Sequence, residues 1–248
     1  MTNPDTSGML RFLTDELQDA EDAGDRVWIM GHVLTGWDGT NPLQNPTNLC
    51  ERPFFYTRTA NPVYIYTARV SSCSLSDVRA RATMHRLGHG LTGIGIADSV
   101  DRFSPHVIAN IFFGHTHEDQ MSIFYANNAT ALSADTAHAL AWMGPSVTPG
   151  TNLNSGFRVY EVDSATFEVL DAHTWRSDVS TFPGLDAQLQ IGPTYGYEYN
   201  TRETYGGNIT GWGPNDPLNA TWWHLVTEAM EANPSLVSVS SCSLALHC

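Results

Sequence analysis

An apolar run, then a glycine, then a histidine occurs twice in this chain, and that repeat constrains the fold more than any other feature. Around residues 107–113 the run is Val107, Ile108, Ala109, Ile111, Phe112 and Phe113. A short apolar stretch rich in β-branched and aromatic residues reads as a buried strand. Gly114 follows, and a residue without Cβ lets the backbone turn where a side chain would obstruct it. His115 and His117 come next, in "GHTHED". If the chain stays extended past the turn, both imidazoles point to one side, because side chains alternate along a strand. Residues 25–39 repeat the construction: Val27, Trp28, Ile29 and Met30, then Gly31, then His32.

In α/β proteins ligands collect outside the carboxyl ends of strands, and both Gly-His pairs lie at that end. Neutral imidazole is the commonest protein metal ligand, and zinc accepts it readily. The residues therefore read as a metal site fed by His32, His115 and His117. For either pair alone, solvated loop histidines are the plain alternative.

The flanks go further. "RVWIMGHVLTGWDG", "NPLQNPTNL", "DRFSPHVIANIFFGHTHED", "GPSVTPGTNLNSGFRVYEVD" and "TRETYGG" resemble, in order, the acid sphingomyelinase-like phosphodiesterases, in a form associated with fungi. Those enzymes sit within the calcineurin-like metallophosphoesterase superfamily. The resemblance covers most of residues 8–49 and 101–235. It implies an α/β fold, the calcineurin-like α/β/β/α sandwich of two sheets flanked by helices. It also implies a two-metal, usually zinc, phosphodiesterase that hydrolyses sphingomyelin to phosphocholine and ceramide. His32, His115 and His117 would be metal ligands, with Asp119 or Glu118 orienting an imidazole from behind. Two cations roughly 3.5–4 Å apart would hold the phosphate oxygens and activate a hydroxide. Action on nucleotides or other phosphodiesters keeps the same chemistry and is the alternative substrate reading.

The remaining family ligands, an Asp-x-His, a bridging Asp and an Asn-His pair, are expected before residue 1. The fold is therefore expected to be incomplete, with its N-terminal half missing, its strand edges unpaired and the chain prone to aggregate. An inactive fragment is the reading from a different class. No catalytic acid or base is assigned. Asp171-Ala172-His173 spells Asp-x-His in the wrong place, and "EVLDAHTW" reads as a strand end and turn.

The expected organisation follows. Residues 1–49 and 101–180 form the C-terminal half of the metallophosphoesterase domain, residues 181–235 a C-terminal helical subdomain, and residues 236–248 a divergent tail. Residues 50–100 look foreign to the family: they hold Arg52, Arg58, Arg69, Arg79, Arg81 and Arg86, half of the twelve basic residues. They read as a retained intron or as a surface insertion. Residues 9–23 predict an amphipathic helix with Leu10, Leu13 and Leu17 on one face, stopped by Gly24. Trp222, Val226 and Ala229 mark another, ended at Asn233-Pro234.

Composition sets boundaries. A net charge of −14 with 12 Lys+Arg argues against nucleic acid, which wants a basic face. It also argues against electrostatic attachment to anionic lipid. No apolar run is long enough to span a membrane, and the N-terminus lacks the pattern of a signal peptide. Sequons at Asn128, Asn208 and Asn219 tilt toward a secreted glycoprotein, and the resemblance implies an extracellular or lysosome-like compartment. The implied partner is a phosphodiester substrate with a lipid head group.

Cys50, Cys73, Cys242 and Cys248 lie where the resemblance fails, so no pairing is carried over. Trp37 suits a choline pocket by cation–π contact or ordinary loop packing. Thr148, Asn152 and Asn154 fall in a loop that the family places near its site. Arg202 and Glu203 suit an ion pair. His85 and His89 offer an i, i+4 pair. His106, His138, His173, His224 and His247 read as structural or solvated.

Overall fold

A computed structural model describes residues 9–32, 64–70, 83–86, 94–126, 132–150, 153–187, 192–207, 209–233 and 236. Helix α1, Met9–Ala23, coincides with the amphipathic stretch. Leu13 and Leu17 are fully buried, while Asp15, Asp19 and Asp22 face solvent. Gly24 ends it with φ 71°, a left-handed conformation that costs glycine little.

The chain then enters strand β1, Arg26–Met30. Further strands are β2, Tyr64–Val70, and β3, Thr83–Arg86; helix α2, Ile94–Phe103, leads into β4, Ile108–Phe113. Strands β5, Gln120–Tyr125, and β6, Ala137–Met143, complete a six-stranded sheet of order β3-β2-β1-β4-β6-β5. Its centre is parallel: β1 pairs with β4 and β4 with β6, while β2, β3 and β5 run antiparallel to their neighbours. A second sheet is made of β7, Ser155–Val162, β8, Val169–Ser177, and β9, Gly196–Asn200, all antiparallel.

Alternation on β6 builds both cores. Ala139, Ala141 and Met143 join Leu13, Leu17, Val27, Ile29 and Ile111 on the face covered by α1 and α2. Leu140 and Trp142 point the other way, into a cluster with Val169, Ala172 and Tyr160 of the smaller sheet. Phe112 and Tyr160 meet edge-on across the two sheets, with centroids 5.0 Å apart. Helix α3, Thr201–Gly206, packs by the smaller sheet, and α4, Ala220–Ala232, lays Trp222, Trp223 and Val226 into the same cluster. The result is a mixed α/β architecture with two facing sheets, compatible with the expected sandwich.

Several expectations change here. "EVLDAHTW" is not a strand end: from Val169 onward it lies within the nine-residue β8, whose alternating burial suits a strand covered on one face. Residues 181–235 are not purely helical, because β9 pairs with β8 and the tryptophans of α4 share a core with Leu140 and Trp142. The segment 50–100 supplies β2 and β3, so β1 has a neighbour on both sides, and α2 crosses residue 100. Arg202 does not pair with Glu203. It donates to the carbonyls of Leu170, Gly213 and Asp216, and Asn200 caps α3 against Glu203.

The lone histidines within the described residues have structural partners. His106 and Arg102 both bind Glu21, joining α1 to the α2 region and holding that carboxyl down at about 2. His138 contacts the carbonyl of Asp101, and buried His224 contacts the Tyr125 hydroxyl. His173 lies 3.8 Å from Glu161. Trp37, His89, Asn128, Asn152, Asn208, His247 and the four cysteines lie outside the described residues, as does the His85 side chain.

Candidate metal centre

Strands β1 and β4 run parallel, so their carboxyl ends lie side by side, with Met30 opposite Phe112. Gly31 donates to the carbonyl of Phe112 at 2.9 Å, and Gly114 donates to the carbonyl of His32 at 3.0 Å. These two bonds continue the ladder past the strands and bring both Gly-His pairs together. Nδ1 of His115 lies 3.4 Å from Nε2 of His32, with the rings edge-on at 5.2 Å.

That separation is long for an N–H···N hydrogen bond. It matches the edge of a tetrahedron with metal–nitrogen bonds of about 2.0–2.1 Å, which is about 3.3 Å. Burial lowers the pKa of His115, helped by the neighbouring His32 and His117. A neutral ring keeps the lone pair that a cation needs. The donor set on hand therefore fits a zinc-type ion at two positions.

His117 departs from the simple picture. His115 and His117 are both left-handed, at φ 73° and 63°, so the segment is not extended and strand alternation does not align the rings. The conformational freedom expected of Gly114 is used at the histidines instead. A Cβ on Gly114 would meet His32 only at 3.7 Å, an ordinary contact. His117 lies against the loop at Gly150, where an added Cβ would come within 3.2 Å of its Nδ1. Among the described residues, no three His, Cys, Asp or Glu side chains gather closely enough to hold a metal.

Asp119 does not orient an imidazole. Its carboxylate is buried against the Arg158 guanidinium and the Tyr199 hydroxyl. An almost fully buried arginine demands a counter-charge, and β5 begins beside Asp119, which delivers it to β7. Glu118 instead accepts from Gln120. This ion pair is the feature that sequence reading missed. Local alternation gave no signal for it, because on β7 the arginine is buried while its apolar neighbour Val159 is exposed.

Of the loop residues, Asn154 is buried and accepts from the Val179 amide, a structural role, and Thr148 is exposed and donates its amide to Ser146. Asn219 of the third sequon caps α4 by accepting from Trp222.

Comparison with known proteins bears on this arrangement. No protein-family model matches the chain. It is 26% identical over 203 residues to sphingomyelin phosphodiesterase B of Dictyostelium discoideum, covering 81% of this chain and 23% of that protein. It is 26% identical over 212 residues to human sphingomyelin phosphodiesterase, covering 83% and 24%. Human acid sphingomyelinase-like phosphodiesterase 3b is 29% identical over 206 residues, covering 82% and 35%.

The chain is similar to the sphingomyelin phosphodiesterases. It spans between about a quarter and a third of the length of these relatives. The mixed α/β architecture, with its parallel centre, is compatible with that family. Among the described residues, no helix is long and apolar enough to cross a membrane.

Proposed function

We propose that this chain carries part of the active site of a zinc-dependent phosphodiesterase of the acid sphingomyelinase type, acting on sphingomyelin. The approach of His115 to His32 at the carboxyl ends of β1 and β4 is the observation that supports this most. His32 and His115 would hold the cation, with His117 swinging from Gly150 to join them. When bound, zinc supplies a Lewis acid for phosphoryl oxygen and lowers the pKa of a bound water.

The chain's own contribution is to hold imidazole lone pairs in place. Burial, with His32 and His117 nearby, lowers the pKa of His115 and so favours the neutral ring. The bonds from Gly31 and Gly114 fix the separation of the two Gly-His turns. Hydrolysis would add water across the phosphodiester, breaking the bond from phosphorus to the ceramide oxygen and leaving phosphocholine. An extracellular or lysosome-like compartment belongs to the same proposal and rests on the resemblance and the sequons.

A second reading is a chain that binds metal without turnover. Two dications need a bridging carboxylate to offset their repulsion, and of the two carboxylates that follow His117, Glu118 accepts from Gln120 and Asp119 is committed to Arg158. Hydrolysis of sphingomyelin and of bis(p-nitrophenyl) phosphate with added zinc tests both readings. Zinc-dependent turnover lost in His115→Ala supports the first reading. Zinc binding without turnover supports the second, and turnover unaffected by His115→Ala removes the metal role.

A further inference from the structure

We infer that Arg158 is a positioning residue for the histidine turn, acting through Asp119; this rests on the metal reading above. The turn from Gly114 to Asp119 contains two non-glycine residues in the left-handed region, at φ 73° and 63°. Each such residue is strained by about 1–3 kcal/mol and persists only where its surroundings impose it. The turn must therefore be held at both ends.

At its start, the Gly114 amide is tied to the carbonyl of His32 at 3.0 Å, and Thr116 closes onto Gly114 at 2.9 Å. At its end stands Asp119. Its carboxylate meets Nη2 of Arg158, with side chains only 9% and 3% exposed. The guanidinium is itself fixed, donating from Nε to the Thr174 hydroxyl at 3.0 Å and from Nη2 to the Tyr199 hydroxyl at 2.7 Å. Tyr199 also donates to Asp119. Two strands of the smaller sheet, β7 and β9, thus grip one carboxylate two residues beyond His117, and β8 steadies the guanidinium through Thr174. Burial strips water from the pair, so the carboxylate has no competing partner that would let the turn relax.

The fork geometry matters, because one guanidinium serves Thr174, Tyr199 and Asp119 together. A lysine would keep the charge and lose that arrangement. Arg158→Lys should therefore release the turn while the fold survives. The control is Val226→Ala, which removes buried core volume on α4 but no hydrogen-bonding atom of the Asp119, Arg158 and Tyr199 network.

Amide hydrogen exchange on the metal-free chain is the deciding measurement. In Arg158→Lys, protection at Gly114 and Thr116 should collapse toward that of an open loop, while β7 and β8 amides stay protected. Val226→Ala should leave the Gly114 and Thr116 protection intact relative to the rest of the chain. Zinc titration against a chromophoric chelator then gives the consequence: affinity falls by about 10–100-fold in Arg158→Lys, the range typical for residues that orient ligands, and is unchanged in Val226→Ala.

Unchanged protection at Gly114 and Thr116 in Arg158→Lys would overturn the positioning role, whatever the metal does. Lost protection combined with no zinc binding by the unmutated chain would overturn the metal reading and leave the positioning role standing.

Discussion

Nδ1 of His115 stands 3.4 Å from Nε2 of His32, although 83 positions separate them in the chain. The contact exists because β1 and β4 are parallel neighbours and each ends in glycine and histidine. Replacing either histidine by alanine should weaken zinc binding by more than the about 10–100-fold expected when a residue behind a ligand is lost. The thermal midpoint should hardly move, since neither ring is buried in a core. Competition titration with a chelator checks the first expectation and calorimetry the second.

Gly150 faces His117, and a Cβ there would sit 3.2 Å from Nδ1 of the imidazole. Gly150→Ala should therefore displace the ring by a few tenths of an ångström. The expected outcome is a selective change in zinc affinity or stoichiometry with an unchanged melting profile. An unaltered zinc isotherm would show that His117 does not join the site from this position.

Burial raises the carboxyl of Glu198 to about 7, against the pull of Arg176 at 2.9 Å, and its Oε2 has no hydrogen-bond partner among the described residues. A carboxyl whose folded pKa exceeds its unfolded value binds protons more tightly when folded. Its contribution to stability is complete below the unfolded value near 4.5 and is lost as pH rises through about 7. Melting temperatures across pH 4.5–7 should fall less steeply in Glu198→Gln than in the unmutated chain. Parallel curves would show that Glu198 is not protonated in this window.

Trp142 is fully buried between the sheets, touches Tyr160 and Trp223 edge-on, and donates to Asn110 at 3.3 Å. Trp142→Ala should destabilise by about 3–5 kcal/mol, enough to remove cooperative melting in a marginal domain. Denaturant unfolding followed by fluorescence and circular dichroism gives the value.

Asn219 caps α4 by accepting from the Trp222 amide at 3.1 Å. Asn219→Ala should cost about 1 kcal/mol, while Asn219→Asp, which keeps the accepting oxygen, should cost little. Equal losses for the two variants would mean that the cap is not what matters at this position.

Helix α1, strand β1 and helix α4 were legible in the sequence because local periodicity and end signals decide them. Leu13 and Leu17 are buried as their spacing requires, Gly24 ends α1, and Asn233 ends α4. The strand–Gly–His repeat likewise marked the carboxyl edge where His32 and His115 meet. β8 was misread as a strand end and turn because "LDAH" is half polar. Asp171 is satisfied there by the Ala172 and Arg202 amides, a partnership that no local pattern encodes.

The sequence by itself therefore determined α1, β1, α4 and the two Gly-His turns, because these depend on neighbours along the chain. The tertiary structure alone decided which strands are parallel neighbours, and so which imidazoles approach. It also decided that the turn is left-handed at His115 and His117 and that Asp119 serves Arg158 rather than an imidazole. The physical reason is desolvation. A buried guanidinium takes a counter-charge from whichever element packs against it, and only the approach of the turn before β5 to Arg158 of β7 brings Asp119 there.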